Sequence, residues 1–163
     1  MIKHGAVYHV TARANRKEMI MYCNAMKKLF VSVLHRAKKK YHFQIINFCI
    51  MGNHIHLIIR PFEEESLSRI MQWILSVFAM AWNRAHHING HVWGERFFSK
   101  IIESSQEFAH TFDYITQNPV RAQVVRNVWE WRYGGLWHFL TGNAEILGEP
   151  PPLLHLFYRI YCE

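Results

Sequence analysis

The stretch Met51-Gly-Asn-His-Ile-His-Leu-Ile-Ile-Arg60 decides the predicted fold, because its polar and apolar residues alternate with a period of two. Alternate side chains of a β-strand point to opposite faces, so His54 and His56 share one face of the predicted strand. The other face receives only the apolar side chains of Ile55, Leu57 and Ile59. The strand is therefore predicted to present two imidazoles on one face and to pack into a core with the other.

Two imidazoles held at i and i+2 on a rigid strand suit a divalent metal, because neutral histidine is a common metal ligand. The spacing by itself is a weak signal, since a chain with 12 histidines contains some His-x-His pairs by coincidence. A half-exposed strand with two surface histidines remains the alternative interpretation. The metal hypothesis therefore needs a second element that could complete the site.

That element is the stretch Phe112-Asp-Tyr-Ile-Thr-Gln-Asn-Pro-Val-Arg-Ala122. Tyr114 and Asn118 lie four residues apart, which makes them neighbours on one face of a helix. Pro119 disfavours the α conformation at Asn118, so the helix is predicted to end there. A tyrosine close to a helix end can present its hydroxyl to a substrate. An asparagine one turn later can lend its carbonyl oxygen to the same metal.

Two more stretches complete a pattern of four in order along the chain. Tyr8-His-Val-Thr-Ala-Arg-Ala-Asn-Arg16 contains a Thr-x-Arg sequence, and Trp93-Gly-Glu-Arg-Phe-Phe-Ser99 precedes a predicted fourth strand. With these four stretches the chain resembles the single-tyrosine HUH transposases, and most closely the REP-associated tyrosine transposases (RAYT proteins). It departs from many relatives at Tyr133-Gly134-Gly135, where they have Trp-Ser-Ser.

The resemblance implies a set of site residues and a chemistry. It assigns Tyr114 as the catalytic nucleophile and His54, His56 and Asn118 as ligands of a divalent metal, Mg²⁺ or Mn²⁺. The implied reaction cleaves single-stranded DNA next to a short hairpin, such as a repetitive extragenic palindrome, through a 5′-phosphotyrosine intermediate. A second DNA 3′-OH can then displace the tyrosine and rejoin strands. The implied activity is that of a metal-dependent DNA transposase, endonuclease and strand transferase.

Basic residues near these stretches are predicted to bind DNA. Cations interleaved with aromatic rings suit single-stranded DNA, with phosphates on the cations and bases on the rings. Phe97 and Phe98 could equally be core aromatics with incidental charges beside them. The predicted DNA-binding residues are Arg13, Arg16, Lys17, Arg96, Lys100 and Arg121.

The order strand, helix, strand, strand, helix, strand, helix predicts an α+β fold. We expect a ferredoxin-like, four-stranded antiparallel sheet with helices packed on one face and the nucleophile tyrosine on a helix after the fourth strand. Residues 1–142 are expected to form the HUH single-tyrosine transposase domain and residues 143–163 a proline-containing tail. The tail's helix could dock on the body or on another copy. The predicted elements are strands 5–13, 43–50 and 97–103 beside the histidine strand, and helices 24–40, 106–118 and 153–161. A further helix is predicted to follow Ser66, which caps it, and to run to about Arg84.

Composition limits the partners. With 19 Lys and Arg against 12 Asp and Glu, the chain of 163 residues carries a net charge of +7, which favours a polyanion such as nucleic acid. No apolar run approaches the ~20 residues of a membrane-spanning helix, so no membrane partner and a cytoplasmic, nucleoid-associated location are expected. Three cysteines without a Cys-x-x-Cys pattern predict neither a disulfide framework nor a zinc site.

Three functions remain open. The first is the DNA-cleaving and strand-transferring transposase, with a monomer favoured over a homodimer. The second is a catalytically idle protein that binds hairpin DNA or RNA. The third is a metal-dependent hydrolase that uses water on a small phosphoester. Covalent trapping of DNA on Tyr114 separates the first from the other two.

Overall fold

The computed structural model describes residues 5–62 and 64–163, so residues 1–4 of the predicted domain and Glu63 lie outside the described residues. The strands are β1 (Tyr8–Arg13), β2 (Phe43–Ile50), β3 (His54–Pro61) and β4 (Phe98–Ile101). The α-helices are α1 (Asn24–Lys40), α2 (Leu67–His86), α3 (Ser105–Arg121), α4 (Gly135–Leu140), α5 (Ala144–Leu147) and α6 (Pro152–Arg159). Short 3-10 helices cover Asn15–Lys17, Val128–Glu130 and Ile160–Cys162.

The four strands form one antiparallel sheet in the order β2-β3-β1-β4. With helices between β1 and β2 and between β3 and β4, this is the ferredoxin-like arrangement that the sequence predicted. The turn at residues 51–53 joins β2 and β3 into the expected hairpin, in which the Met51 N–H donates to the His54 carbonyl at 2.9 Å. β1 and β4 are shorter than predicted. The pairing of β1 with its neighbours begins only at Tyr8, and the pairing of β4 with β1 ends at Ile101.

Helices lie on both faces of the sheet. One face is apolar and fully buried, with Leu57 of β3 at its centre, and α1 and α2 pack on it and on each other through Phe30 and Phe78, whose ring centroids are 5.2 Å apart. On the opposite face, the Asn47 side chain of β2 donates to the Phe112 carbonyl and the Thr116 hydroxyl of α3. The prediction of helices on a single face was therefore wrong, since the polar face of β3 receives its own cover.

The helix α3 continues through Pro119 to Arg121, so the predicted helix end at Asn118 was wrong. Proline removes one backbone donor from the helix, so the Ile115 carbonyl loses the hydrogen bond that residue 119 would otherwise donate to it. Burial of Ile115, Asn118 and Pro119 against the body holds this last turn in place. Packing thus outweighs the local preference, and Arg121 is the last residue of α3.

The C-terminal segment docks on the body of its own chain. Tyr158 of α6 is completely buried, donates its hydroxyl to the Ile46 carbonyl at 2.6 Å and stacks on Phe139 of α4. This docking explains one glycine of Tyr133-Gly134-Gly135, the stretch in which the chain differs from many relatives. A Cβ at Gly135 would collide with Asn47 and Tyr158. Residues 143–163 therefore contribute to the same core as the sheet.

Three smaller observations complete the fold. Cys23, Cys49 and Cys162 are all free thiols. At the basic end of α1, Lys38 donates to the Ile146 carbonyl and Arg36 lies over the Trp73 ring, so these two cations take part in packing. None of the helices within residues 5–62 and 64–163 combines the length and apolar character needed to cross a membrane.

Candidate active site

The candidate site lies between the polar face of β1 and β3 and the C-terminal half of α3. Cross-strand pairing sets Thr11 opposite His56 and Arg13 opposite His54, so these four side chains share one face. α3 crosses above them and contributes Tyr114 and Asn118 from successive turns. The structure therefore brings together all four residues that the sequence predicted for catalysis and metal binding.

His54 and Asn118 converge at the edge of this site. The Nε2 atom of His54 lies 3.3 Å from Oδ1 of Asn118, while its Nδ1 atom lies 2.6 Å from Oδ1 of Asn53. Burial lowers the pKa of His54, the contact with Asn118 acts in the opposite sense, and nearby Arg13 lowers it further. The ring is therefore held neutral, which is the form that binds a metal.

His56 is the most enclosed member of the site, with only 4% of its surface exposed. Its Nδ1 atom lies 3.1 Å from Nε2 of His9 and 3.1 Å from the Thr11 hydroxyl. Burial lowers the pKa of His56 to about 3, and the neighbouring His54, His9 and Arg13 add to this effect. His56 is thus also neutral near pH 7, and protons do not compete for its ring.

Tyr114 lies on the open side of the histidines. Its side chain is 41% exposed, and its ring meets that of His56 edge-on, with centroids 5.5 Å apart and an interplanar angle of 89°. The Arg121 guanidinium lies over the same ring at 5.3 Å. A cleft of about 440 Å³, lined by His9, His110, Thr111, Asp113, Tyr114 and Arg121, opens beside the tyrosine. The hydroxyl is therefore accessible to a substrate that also reaches the histidines.

The donor set fits a divalent cation. When Nδ1 of His54 carries the ring proton, the lone pair of Nε2 points at a lone pair of Asn118 Oδ1. These two lone pairs repel each other unless a cation lies between them and accepts both. Adjacent donors of an octahedral ion with bonds of ~2.1 Å lie ~3 Å apart, close to the 3.3 Å between these two atoms. Among the described residues no three His, Cys, Asp or Glu side chains form a metal-binding group. A site here would consist of two imidazoles, one amide oxygen and ligands from outside the chain.

The predicted DNA-binding residues fall into two groups. The first group, Arg13, Arg16, Lys17 and Arg96, is exposed at the His54 end of the sheet. The loop that carries Arg96 reaches this end because the Gly94 N–H donates to the Arg13 carbonyl. The second group, Lys100 and Arg121, lies near the tyrosine, and both residues already have carboxylate partners. Lys100 pairs with Glu107 and Arg121 lies 3.9 Å from Asp113.

Sequence patterns did not identify His9, Thr11 or Asn53 as members of the site. His9 and Thr11 alternate along β1 with Arg13, a signal that exists in the sequence but acquires meaning only from the β1–β3 register. Tyr8, by contrast, is buried on the opposite face of the sheet, so it lies outside the site.

Comparisons with known proteins agree with this geometry. Curated relatives include the REP-associated tyrosine transposase of Escherichia coli K12, 23% identical over 133 residues that cover 81% of this chain and 76% of the relative. A candidate REP-associated tyrosine transposase of Haemophilus influenzae Rd is 25% identical over 130 residues, which cover 74% of this chain and 73% of the relative. These relatives confirm the resemblance that the sequence indicated.

Solved structures show the same fold. A REP-associated tyrosine transposase bound to a REP hairpin superposes with a TM-score of 0.73 at 20% identity, covering 88% of this chain and 84% of that one. A candidate transposase from Deinococcus radiodurans R1 gives a TM-score of 0.53 at 12% identity, covering 70% of this chain and 91% of that one. The family model described as "Transposase IS200 like" matches residues 2–118, well over half of the chain. The chain therefore belongs to the IS200-like transposase family.

Proposed function

We propose that this transposase cleaves and rejoins single-stranded DNA next to a hairpin through a covalent bond between Tyr114 and a DNA 5′-phosphate. The observation that carries the proposal is the position of Tyr114, exposed and edge-on to His56 above the His54–Asn118 pair. A phosphate placed between these groups meets the nucleophile on one side and the predicted metal ligands on the other. The named hairpin ligand of a structural relative agrees with a hairpin substrate.

The reaction follows from these positions. The Tyr114 oxygen attacks phosphorus, its proton leaves, the P–O3′ bond breaks, and the departing oxygen takes a proton to become a free 3′-OH. Mg²⁺ or Mn²⁺, held by His54, His56 and Asn118, would supply charge stabilisation at the phosphate and favour the tyrosine oxyanion. Because the phosphotyrosine bond retains the energy of the phosphodiester, attack by a second 3′-OH rejoins DNA and releases Tyr114.

Basic side chains would hold the strands on either side of the scissile phosphate. The exposed group Arg13, Arg16, Lys17 and Arg96 would bind phosphates at the His54 end of the sheet, and Lys100 and Arg121 would do so beside the tyrosine. The proposal includes action as a monomer. Sedimentation of the DNA complex would test that stoichiometry.

The deciding experiment is adduct formation on hairpin oligonucleotides with single-stranded flanks, labelled at the 5′ or the 3′ end and incubated with Mn²⁺. A protein-linked band carrying the 3′ label is expected, absent with EDTA and absent in Tyr114→Phe. Tyr22→Phe is the matched control, since Tyr22 is also exposed and lies outside the site. Tyr114→Phe should still bind the hairpin, because the substitution removes one oxygen.

Two other outcomes would contradict the proposal. Cleavage that persists in Tyr114→Phe, without any adduct, would indicate hydrolysis by water. Tight hairpin binding without an adduct, on hairpins taken from both flanks of the chain's own gene, would indicate a binding protein without this chemistry.

A further inference from the structure

We propose that Asn53 and His9 are positioning residues, each accepting a hydrogen bond from Nδ1 of one predicted metal ligand and thereby leaving Nε2 of that ring free for the metal. The inference rests on the metal site of the proposed function. It assigns roles to two side chains that do not themselves contact the metal, and it concerns the orientation of His54 and His56 in the protein before DNA binds.

Asn53 holds His54 through a fixed amide. Its Nδ2 donates to the Lys17 carbonyl at 3.3 Å, which decides that the amide oxygen is the atom facing the ring at 2.6 Å from Nδ1. The Asn53 backbone is anchored as well, because its carbonyl accepts from the Ala14 N–H at 2.8 Å. An oxygen acceptor at this distance requires a proton on Nδ1, so the lone pair of His54 is on Nε2 and faces Asn118.

His9 plays the corresponding part for His56. Its Nε2 lies 3.1 Å from Nδ1 of His56, and the two rings are nearly parallel, with centroids 5.4 Å apart and an interplanar angle of 25°. The Thr11 hydroxyl oxygen lies 3.1 Å from Nδ1 of His56 and 3.4 Å from Nε2 of His9. In the assignment that we infer, His56 donates its Nδ1–H to the unprotonated Nε2 of His9, and the Thr11 oxygen flanks the same N–H as a second acceptor.

The two contacts act on the same property of the site. A metal can bind Nε2 only when that atom has no proton, and the hydrogen bond at Nδ1 decides which nitrogen carries it. His56 is almost completely buried, so water cannot replace a lost acceptor. Loss of an outer hydrogen-bond partner typically weakens metal binding by about 10- to 100-fold.

The test measures Mn²⁺ affinity of the DNA-free protein by electron paramagnetic resonance, with no reaction involved. We expect Asn53→Leu and His9→Leu each to weaken Mn²⁺ binding by roughly 10- to 100-fold, and the acceptor-retaining variants Asn53→Asp and His9→Gln to stay within roughly threefold of the parent protein. Thr11→Val is the matched control for His9, because it removes the flanking hydroxyl and leaves His9 as the acceptor. Should either leucine variant not fold, the alanine variants carry the same expectation.

A second readout is the imidazole ¹⁵N–¹H spectrum of the metal-free protein at pH 7. His54 and His56 should both appear protonated at Nδ1, and each leucine variant should lose that single form for its own ring only. Equal Mn²⁺ affinity in parent and leucine variants with unchanged spectra would overturn the inference while leaving the proposed metal site intact. A loss in Thr11→Val equal to that in His9→Leu would overturn the role of His9. A parent protein that binds no Mn²⁺ would overturn both the metal site and its positioning residues.

Discussion

His56 and Leu57 are neighbours on β3, yet they belong to different parts of the molecule. Leu57 is fully buried in the apolar core beneath α1 and α2. His56 points to the opposite face, where α3 covers part of the sheet and leaves Tyr114 accessible. The comparison shows how one strand serves two purposes: its apolar face anchors the strand, and the anchored strand fixes the spacing of the histidines on the other.

The largest expected effect is on the polar face. His56→Ala should weaken Mn²⁺ binding by more than ~100-fold, beyond the loss caused by an outer partner, because a ligand itself is removed. Adduct formation should fall with the Mn²⁺ affinity. The melting temperature of the metal-free His56→Ala protein should change much less than that of Leu57→Ala. Mn²⁺ titration and calorimetry on the same sample measure both quantities. Unchanged Mn²⁺ affinity would remove His56 from the site.

The matched change on the apolar face should have the reverse effect. Leu57→Ala removes a fully buried side chain and should lower the free energy of unfolding by about 2–5 kcal/mol. Below the unfolding transition the folded molecules should still form the adduct, since the histidine spacing depends on the backbone of β3. Denaturant titration measures the free energy of unfolding, and the adduct yield per folded molecule measures the chemistry that remains. A selective loss of chemistry without loss of stability would break the division between the faces.

A buried histidine away from the site sharpens the comparison. Burial lowers the pKa of His138 to about 4, with Glu145 and a bond to the Arg132 backbone acting in the opposite sense. In the unfolded chain the pKa of His138 has its ordinary value near 6.5, so as the pH falls the unfolded chain takes up a proton at this ring before the folded protein does. Stability should therefore fall as the pH drops from about 6.5 toward 4. Melting temperatures of His138→Leu in EDTA should fall less steeply over this window than those of the exposed-loop control His91→Leu.

The smallest expected effect distinguishes two lysines at opposite ends of the polar face. Lys17→Ala should weaken hairpin binding several-fold and reduce the salt dependence by about one phosphate contact. Lys100→Ala should do less, because Glu107 already pairs with Lys100 in the free protein. Fluorescence anisotropy at several salt concentrations measures both slopes. Equal effects would show that Lys100 leaves Glu107 when DNA binds.

The sequence alone was sufficient for the elements whose periodicity is strong. The limits of α1 (Asn24–Lys40) and β2 (Phe43–Ile50) agree with the predicted ranges 24–40 and 43–50, and Ser66 caps α2 through a bond from the Arg69 N–H. The alternation in β3 also predicted the buried apolar face of Ile55, Leu57 and Ile59, although His56 and Ile58 on the other face are buried as well. These features depend on local spacing, which a single chain records directly.

What only the tertiary structure decided depends on contacts between distant segments. Nothing in the sequence gives the β1–β3 register, so His9 could not be assigned to His56, which lies 47 positions away. Asn53 adjoins His54 in the sequence, but the contact with the Lys17 carbonyl that orients its amide is also a tertiary one. Packing also extended α3 past Pro119, placed α3 on its own face of the sheet and docked α6 on the body. The physical reason is the same in each case: burial and pairing energies from residues far along the chain outweigh local preferences. The sequence determined the chemical groups of the site, and the fold determined which nitrogen and oxygen atoms face one another.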